Sequence, residues 1–145
     1  MVSTIIIRHR KENRKKCSLT PLEGRPDFAF YSFPGEIPDV TGYILLDFDG
    51  PPLTTSDPQK LILLDGTWRY AASMRKSLPD LPVRRIPDGF VTAYPRVQTA
   101  CSEPDAGLAS IEALYIAYRV LGADPSDLLD HYYWKDAFLQ KNNLV

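Results

Sequence analysis

The segment KLILLDGTWRYAASM, residues 60–74, contains the features that decide the fold of this chain. It begins with an apolar run, Leu61 to Leu64, whose length and side chains are typical of a strand buried on both faces. The run ends abruptly at Asp65-Gly66, and a helical pattern follows from about residue 67 to residue 78. A strand, a tight turn and a helix in direct succession predict an α/β protein.

Other parts of the chain repeat this pattern. Strands are predicted over residues 3–8, 28–35, 42–52 and 61–65, with one or two more within 83–95, and helices over 67–78, 110–122 and 125–141. Continuous apolar strands separated by helices favour a mainly parallel sheet flanked by helices. Because no segment has the composition of a linker, we expect a single domain over residues 1–145.

The composition excludes several classes of protein. A hydrophobic content of 44% and a charged content of 24% in 145 residues are typical of a soluble globular domain. No apolar run reaches the roughly 18 residues of a membrane-spanning helix, and the N-terminus lacks a secretory signal, so we expect a cytoplasmic protein and no membrane partner. Cys17 and Cys101 lie far apart without a CxxC spacing, and we therefore expect no metal site.

Turns at the ends of three predicted strands indicate a ligand site. In open α/β sheets, ligands bind beyond the carboxyl ends of the strands. The predicted strands end in polar or acidic turns that contain glycine, at residues 32–35, 47–50 and 65–66. Glycine lets the backbone approach a ligand closely, and the indole of Trp68 follows one of these turns. An ordinary helix cap at Asp65 and a core aromatic at Trp68 would explain the same residues.

Four segments resemble a known family of RNA-modifying enzymes. LDGTW (64–68) resembles the Asp-x-Thr-Trp signature of the DTW-domain family of tRNA-uridine aminocarboxypropyltransferases. KKCSLTPL (15–22) and WKDAFLQKNN (134–143) are similar to the related archaeal and eukaryotic small-subunit rRNA aminocarboxypropyltransferases, and GLASIEAL (107–114) resembles a helix start in both groups. The segments occur in the family's order. The cysteine cluster of the tRNA enzymes is missing, which favours the rRNA group.

This resemblance implies a fold and an activity. The implied fold is SPOUT-like α/β with a C-terminal trefoil knot, a topology that general connection rules would not suggest. The implied cofactor is S-adenosylmethionine, whose 3-amino-3-carboxypropyl group would be transferred to a uridine or pseudouridine of small-subunit rRNA or its precursor particle. The resemblance also implies a monomer in preference to a homodimer. A SPOUT methyltransferase with the same cofactor and a non-catalytic RNA-binding or ribosome-assembly module are the alternatives.

Asp65 and Trp68 are the catalytic candidates because they match the family signature directly. A ring imide nitrogen becomes a good nucleophile only after it loses its proton, so a carboxylate such as Asp65 is useful as a base. Asp65 could equally orient the following helix. Trp68 would pack against the cofactor or the target base, or else it belongs to the core.

The remaining candidates bind cofactor or RNA. Hydroxyl, apolar and carboxylate side chains at strand and helix ends give a cofactor set: Ser18, Leu46, Leu64, Asp65, Trp68, Leu108, Ser110 and Glu112. A turn hydrogen bond, core packing and a favourable helix dipole are the structural explanations for the same residues. Six of the 17 basic residues lie in RHRKENRKK (8–16), which suits phosphate contacts. With three later arginines, the predicted RNA set is Arg8, Arg10, Lys11, Arg14, Lys15, Lys16, Arg84, Arg85 and Arg96.

Overall fold

The computed structural model describes residues 2–12, 18–94, 108–125 and 127–144, without the side chain of Trp68. This part of the chain contains five strands and three α-helices. In chain order they are β1 (Ser3–His9), β2 (Phe28–Phe33), β3 (Ile44–Leu46), β4 (Lys60–Asp65), α1 (Trp68–Lys76), β5 (Val83–Arg84), α2 (Ser110–Val120) and α3 (Lys135–Lys141).

The strands form one parallel sheet in the order β2-β1-β4-β3-β5. The predicted α/β class and mainly parallel sheet are confirmed. Because all the strands run in the same direction, their last residues meet at one side of the sheet, which we call the carboxyl edge: His9, Phe33, Leu46, Asp65 and Arg84. β1 and β4 lie side by side, and their register places Arg8 opposite Asp65.

Helices cover both faces of the sheet. Ile6 and Leu63 belong to the apolar cluster that contains the buried residues of α2 and α3, including Phe138. Ile5 and Ile62 point to the other face, where Met74 of α1 packs. This alternation is the period-two pattern of a strand that is buried on both sides, which explains the apolar runs in the sequence.

Two helices begin at the carboxyl edge. α1 follows Asp65 after only two residues. α2 runs back across the opposite face, because its C-terminal end lies at the start of β4, where the Gln59 side-chain amide donates to the Leu121 carbonyl at 2.8 Å. The positive ends of both helix dipoles therefore point towards the carboxyl edge.

The predicted last helix is shorter than expected. Residues 127–134 form consecutive turns, with i→i+3 hydrogen bonds such as Leu128 to Pro125 and Lys135 to Tyr132, and α3 begins only at Lys135. Aspartate, histidine and adjacent aromatic residues have low helix propensity. The Tyr132 hydroxyl also reaches Glu112 at 3.1 Å, a contact that ties this segment to α2.

The described ranges contain neither a membrane-spanning helix nor a metal-binding cluster. None of the helices there has the length and apolar character needed to cross a membrane. No three His, Cys, Asp or Glu side chains of these residues come together as metal ligands. The trefoil knot stays a prediction, since residues 95–107 lie outside the described part of the chain.

Candidate functional site

A buried ion pair joins the two central strands at the carboxyl edge. Nε of Arg8 donates to Oδ2 of Asp65 at 2.9 Å, and the two residues are only 8% and 4% exposed. A buried pair of this kind is stable only when its remaining polar groups are also satisfied. Asp65 is therefore held by a neighbouring strand in addition to its place before α1.

Arg8 is fixed from several sides. Its Nη1 forms a salt bridge with Glu23 Oε2 at 2.9 Å, Nη2 lies 3.4 Å from the Thr20 hydroxyl, and the guanidinium stands 5.1 Å from the centre of the Phe30 ring. This enclosure argues against the predicted role of Arg8 in RNA binding, because a phosphate would have to displace these contacts. Arg8 is the penultimate residue of a buried strand, and its place at the start of a basic run hides that fact in the sequence.

The Asp65-Gly66 turn brings β1 and α1 into close contact. A Cβ at Gly66 would lie 3.1 Å from Cβ of Tyr70, 3.3 Å from Cε of Met74 and 3.4 Å from Cβ of His9. The rings of His9 and Tyr70 stack at 3.8 Å with an interplanar angle of 8°. Glycine is thus required at this turn for close packing beside the site.

Glu12 is a second carboxylate at this edge, and it was missed by the sequence analysis. Its backbone N–H donates to the His9 carbonyl at 2.9 Å, in the turn that directly follows β1. The side chain is half-buried, and among the described residues no hydrogen bond or ion pair engages its carboxylate. Burial raises the pKa of Glu12, the charge of Asp65 raises it further, and Arg8 lowers it. The residue was overlooked because it looked like the lone acid in a basic run.

Glu112 has a different environment from the one predicted. It is fully buried and accepts four hydrogen bonds, from the Thr92 hydroxyl, Ala93 N (2.9 Å), Ala109 N (2.8 Å) and the Tyr132 hydroxyl (3.1 Å). An ionised carboxylate offers about four acceptor positions, so these donors occupy its capacity. This arrangement argues against the predicted contact between Glu112 and the cofactor's amino group.

The segment 91–93 is held from a second side by Asn142. The side-chain carbonyl of Asn142 accepts from Val91 N at 2.7 Å, and its amide donates to the Val91 carbonyl at 2.8 Å. Glu112 binds the next two residues of the same segment. Residues 91–93 therefore have a fixed position beside the start of α2.

The apolar and hydroxyl candidates lie near the expected edge. Leu46 is buried and ends β3, Leu64 is half-buried one residue before the end of β4, and Leu108 lies two residues before α2. Ser110 opens α2 and is half-buried, and Ser18 lies in a turn before the short 3-10 helix at Thr20–Leu22. The indole of Trp68 lies outside the described side chains, although its backbone opens α1. Contact of these residues with a cofactor stays a prediction.

The basic candidates that the structure describes do not form one surface. Arg10 and Lys11 are exposed just beyond β1, whereas Arg14, Lys15, Lys16 and Arg96 lie outside the described residues. Arg84 forms a salt bridge with Asp57 at 3.1 Å. Arg85 pairs with the exposed Asp88 at 2.9 Å. Because β5 is separated from β1 by two strands, Arg85 and the segment 10–11 flank the site on opposite sides.

Arg84 ends β5, but its side chain is directed towards the opposite end of the sheet, where it contacts Asp57 ahead of β4. It lines an open cavity of about 670 Å³ together with Val40, Tyr43 and Leu81, residues that precede or begin the strands. Ligands of parallel α/β sheets bind at the other end. We therefore place neither the site nor an RNA contact at this cavity, and its position argues against the predicted role of Arg84.

The loop after β3 is fixed by α1. Arg75 Nη1 contacts Asp47 Oδ2 at 3.0 Å, and Arg75 binds Asp49 through two hydrogen bonds of 2.8 and 3.1 Å. Two-point contact between guanidinium and carboxylate fixes both groups in one plane. The loop between these aspartates thus has a defined position beside β4.

Comparison with known proteins supports the fold. No protein-family model and no curated protein matches the chain. Among solved structures, the SAM-dependent rRNA acp-transferase Tsr3 from Vulcanisaeta distributa matches 99% of this chain and 80% of its own, with a TM-score of 0.73 and 24% sequence identity. This chain shares the Tsr3 fold. At this identity the likeness extends to the fold, and membership of the DTW-domain family stays a prediction.

The four hydrogen bonds to Glu112 predict a large effect on stability. Glu112→Gln replaces one acceptor oxygen by an NH₂ group that faces a donor, so a buried polar group loses its partner. We expect the free energy of unfolding to fall by about 1–3 kcal/mol, as measured by urea denaturation. Glu36→Gln is the matched control because Glu36 is exposed, and it should change stability by less than about 0.5 kcal/mol. Equal, small effects of the two substitutions would contradict a structural role for Glu112.

Proposed function

We propose that this chain transfers the 3-amino-3-carboxypropyl group of S-adenosylmethionine to a uridine or pseudouridine of RNA, in small-subunit rRNA or its precursor particle. The observation that supports it most is the position of LDGTW in the fold. The turn of this segment lies at the carboxyl edge beside the two central strands, in a chain with the fold of an rRNA acp-transferase. A SPOUT-like trefoil knot, a monomeric state and a cytoplasmic location belong to the same proposal.

The carboxyl edge suits S-adenosylmethionine chemically. The cofactor has a sulfonium, an ammonium group and a flat adenine. The edge carries the carboxylates of Glu12, Asp47, Asp49 and Asp65, and Arg8 and Arg75 are engaged by these and other acids. Carboxylates beside a ligand attract its cationic groups. The half-buried Leu64 and Leu108 offer apolar surface for adenine.

The chemistry needs positioning and one proton acceptor. Bound S-adenosylmethionine supplies a γ-carbon that accepts the attacking ring nitrogen while the electron pair of the broken C–S bond leaves with a neutral thioether. The protein must align the nitrogen with that carbon and remove its proton. Within this proposal, Trp68 packs against the cofactor or the base, and Ser18, Leu46, Leu64, Leu108 and Ser110 surround the cofactor.

Glu12 is better suited than Asp65 to accept the proton. Asp65 is 4% exposed, and its carboxylate is already engaged by the guanidinium of Arg8. Glu12 has no such pairing within the described residues, and burial raises its pKa. Two carboxylates whose environments differ in this way commonly divide acid–base and structural roles. We therefore assign Glu12 as the general base that accepts the proton. Asp65 positions Arg8 and the start of α1.

The products test the proposed reaction. The protein is incubated with S-adenosylmethionine and small-subunit rRNA, and the small-molecule product is identified by mass spectrometry. We expect 5′-methylthioadenosine and a matching gain of mass on the RNA. S-adenosylhomocysteine would instead support the methyltransferase alternative. Absence of S-adenosylmethionine binding in calorimetry would support the non-catalytic RNA-binding module.

The two carboxylates are predicted to respond differently to substitution. Glu12→Gln should lower the transfer rate about 10²–10⁴-fold and remove the loss of activity at acid pH, since the titrating base is gone. Asp65→Asn should act mainly by lowering the free energy of unfolding, because Arg8 loses a buried charged partner. Rates at several pH values, with calorimetry of cofactor binding, separate the two effects. The assignment is reversed if Asp65→Asn, and not Glu12→Gln, removes the loss of activity at acid pH.

The raised pKa of Glu12 also has a consequence that does not depend on activity. A carboxyl group whose pKa is raised by folding stabilises the fold when protonated, and this contribution is lost as the pH rises through its folded-state pKa. Glu12→Gln should thus increase the free energy of unfolding at neutral pH and leave it unchanged in acid. Denaturation curves at both pH values provide the measurement. Greater stability of the wild type at neutral pH would contradict this environment for Glu12.

RNA binding is predicted to depend on the exposed basic residues next to β1. Replacing Arg10 and Lys11 by glutamine removes two phosphate contacts, so the slope of log affinity against log salt should fall by about 0.7–0.9 for each contact. Replacing Lys76 and Arg119, in the last turns of α1 and α2, removes the same charge from the far end of the sheet and serves as the control. A salt titration of rRNA binding compares the two variants. Equal slopes would show that RNA docks away from residues 10–11.

A further inference from the structure

An exposed phenylalanine stands in the loop after β3. Phe48 is 78% exposed and lies between Asp47 and Asp49, two residues beyond Leu46 at the carboxyl edge. A single exposed apolar side chain is common in soluble proteins and carries no meaning alone. What distinguishes Phe48 is that the backbone on both sides of it is held in place.

Side-chain contacts of Asp47 and Asp49 fix the loop on both sides of Phe48. Phe48 N donates to Asp47 Oδ1 at 2.8 Å, while the other oxygen of Asp47 accepts from Arg75 at 3.0 Å. Asp49 receives both Nη1 and Nη2 of Arg75, at 2.8 and 3.1 Å. The hydrogen bond from Arg75 also lowers the pKa of Asp49, so the ion pair persists when the pH falls moderately. A helix residue therefore holds the acids on both sides of the ring.

The loop is fixed after the ring by Gly50. This residue has φ = +85°, and a Cβ there would lie 2.5 Å from the Val83 carbonyl oxygen of β5. Glycine alone adopts this conformation and contact without strain. The turn thus packs directly on the neighbouring strand, and the Phe48 ring cannot easily fold back onto the apolar core.

The charge of the loop limits what can cover the ring. Asp47 and Asp49 share one arginine, so these three residues carry a net negative charge and do not attract phosphates. The ring has no polar group and offers only a flat apolar face. The face of an unpaired nucleobase matches such a surface, since stacking needs no hydrogen-bond partner and no phosphate contact. A uridine must also leave its helix before its ring nitrogen can reach a bound cofactor, which leaves neighbouring bases unstacked.

We propose that Phe48 is a preformed stacking platform for an unpaired base of the RNA substrate, beside the nucleotide that is modified. This inference rests on the proposed function, because it takes RNA as the substrate of the carboxyl edge. Phe48 acts by stacking on the base, while residues 10–11 contact phosphates. Rigidity matters here, since a backbone that is already held in place loses little conformational freedom when its side chain binds a ligand.

Binding of a small RNA tests the platform. The probe is an RNA stem–loop with an unpaired uridine in its loop, and the second probe is the same stem–loop with an abasic site at the uridine and at its two loop neighbours. Phe48→Ala should weaken binding of the first probe about 5- to 150-fold, the range of base–aromatic stacking. The salt slope should stay unchanged because no phosphate contact is lost. The abasic probe should bind the wild type and Phe48→Ala equally.

Two further variants at the same position separate stacking from general apolar contact. Phe48→Trp should bind the stem–loop at least as tightly as the wild type, and the fluorescence of the added indole should be quenched by the base. Phe48→Leu should bind nearly as weakly as Phe48→Ala. Asp49→Asn, which weakens the hold of Arg75 on the loop, should lie between Phe48→Ala and the wild type. Circular dichroism verifies that each variant is folded.

Several outcomes would overturn the inference. Full affinity of Phe48→Ala for the stem–loop would exclude a stacking contact, and full affinity of Phe48→Leu would show a general apolar contact in place of aromatic stacking. A loss of S-adenosylmethionine affinity with unchanged RNA binding would place Phe48 in the cofactor pocket. Failure of the proposed transfer is separate. If the transfer fails, 5′-methylthioadenosine is missing while RNA binding still depends on Phe48. If the platform alone fails, Phe48→Ala binds RNA with unchanged affinity and transfer at saturating RNA stays intact.

Discussion

The buried ion pair between Arg8 and Asp65 is the contact on which the rest of the structure depends. It joins the penultimate residue of β1 to the last residue of the adjacent strand β4, and a slip of one residue would place the two side chains on opposite faces of the sheet. Two charges out of water destabilise a fold unless further partners satisfy them. Glu23, Thr20 and the Phe30 ring provide these partners. Satisfying Arg8 therefore ties residues 20–23, ahead of β2, to the carboxyl edge.

The acids of the carboxyl edge differ through their partners and burial. Asp65 is held by Arg8, Asp49 is held by Arg75, and Glu112 is surrounded by four donors. Glu12 alone of these four has no such engagement within the described residues. A carboxylate that is held by an arginine or by several hydrogen-bond donors is already occupied, whereas burial raises the pKa of Glu12. Burial and pairing thus separate the acid that we propose as the proton acceptor from those that hold the fold.

The sequence predicts the sheet well because its signal is local. Apolar runs such as Leu61 to Leu64 identify strands buried on both faces, and Gly66 marks the turn into α1. The last helix is predicted too long because Leu128 and Leu129 fit a helical stripe, although the turns after Pro125 satisfy the same burial. Side-chain partners are not local. Arg8 pairs with Asp65, 57 positions away, so the basic run around Arg8 alone predicted RNA binding. In the same way, only the folded arrangement shows that Glu12 lacks a partner among the described residues.

The segments that resemble the aminocarboxypropyltransferases differ in what their residues do in this fold. In GLASIEAL, Glu112 binds Thr92 and Ala93, and in WKDAFLQKNN, Asn142 binds both backbone groups of Val91. Phe138 of the second segment is completely buried. These segments act together on residues 91–93, so a protein that needed only this fold would require the same side chains. LDGTW differs because its turn lies at the carboxyl edge, where the Asp65-Gly66 backbone faces the end of β1 and the start of α1. Of these three segments, residues 64–68 therefore give the strongest support for the proposed function. The two later segments are explained by the hydrogen bonds that hold residues 91–93.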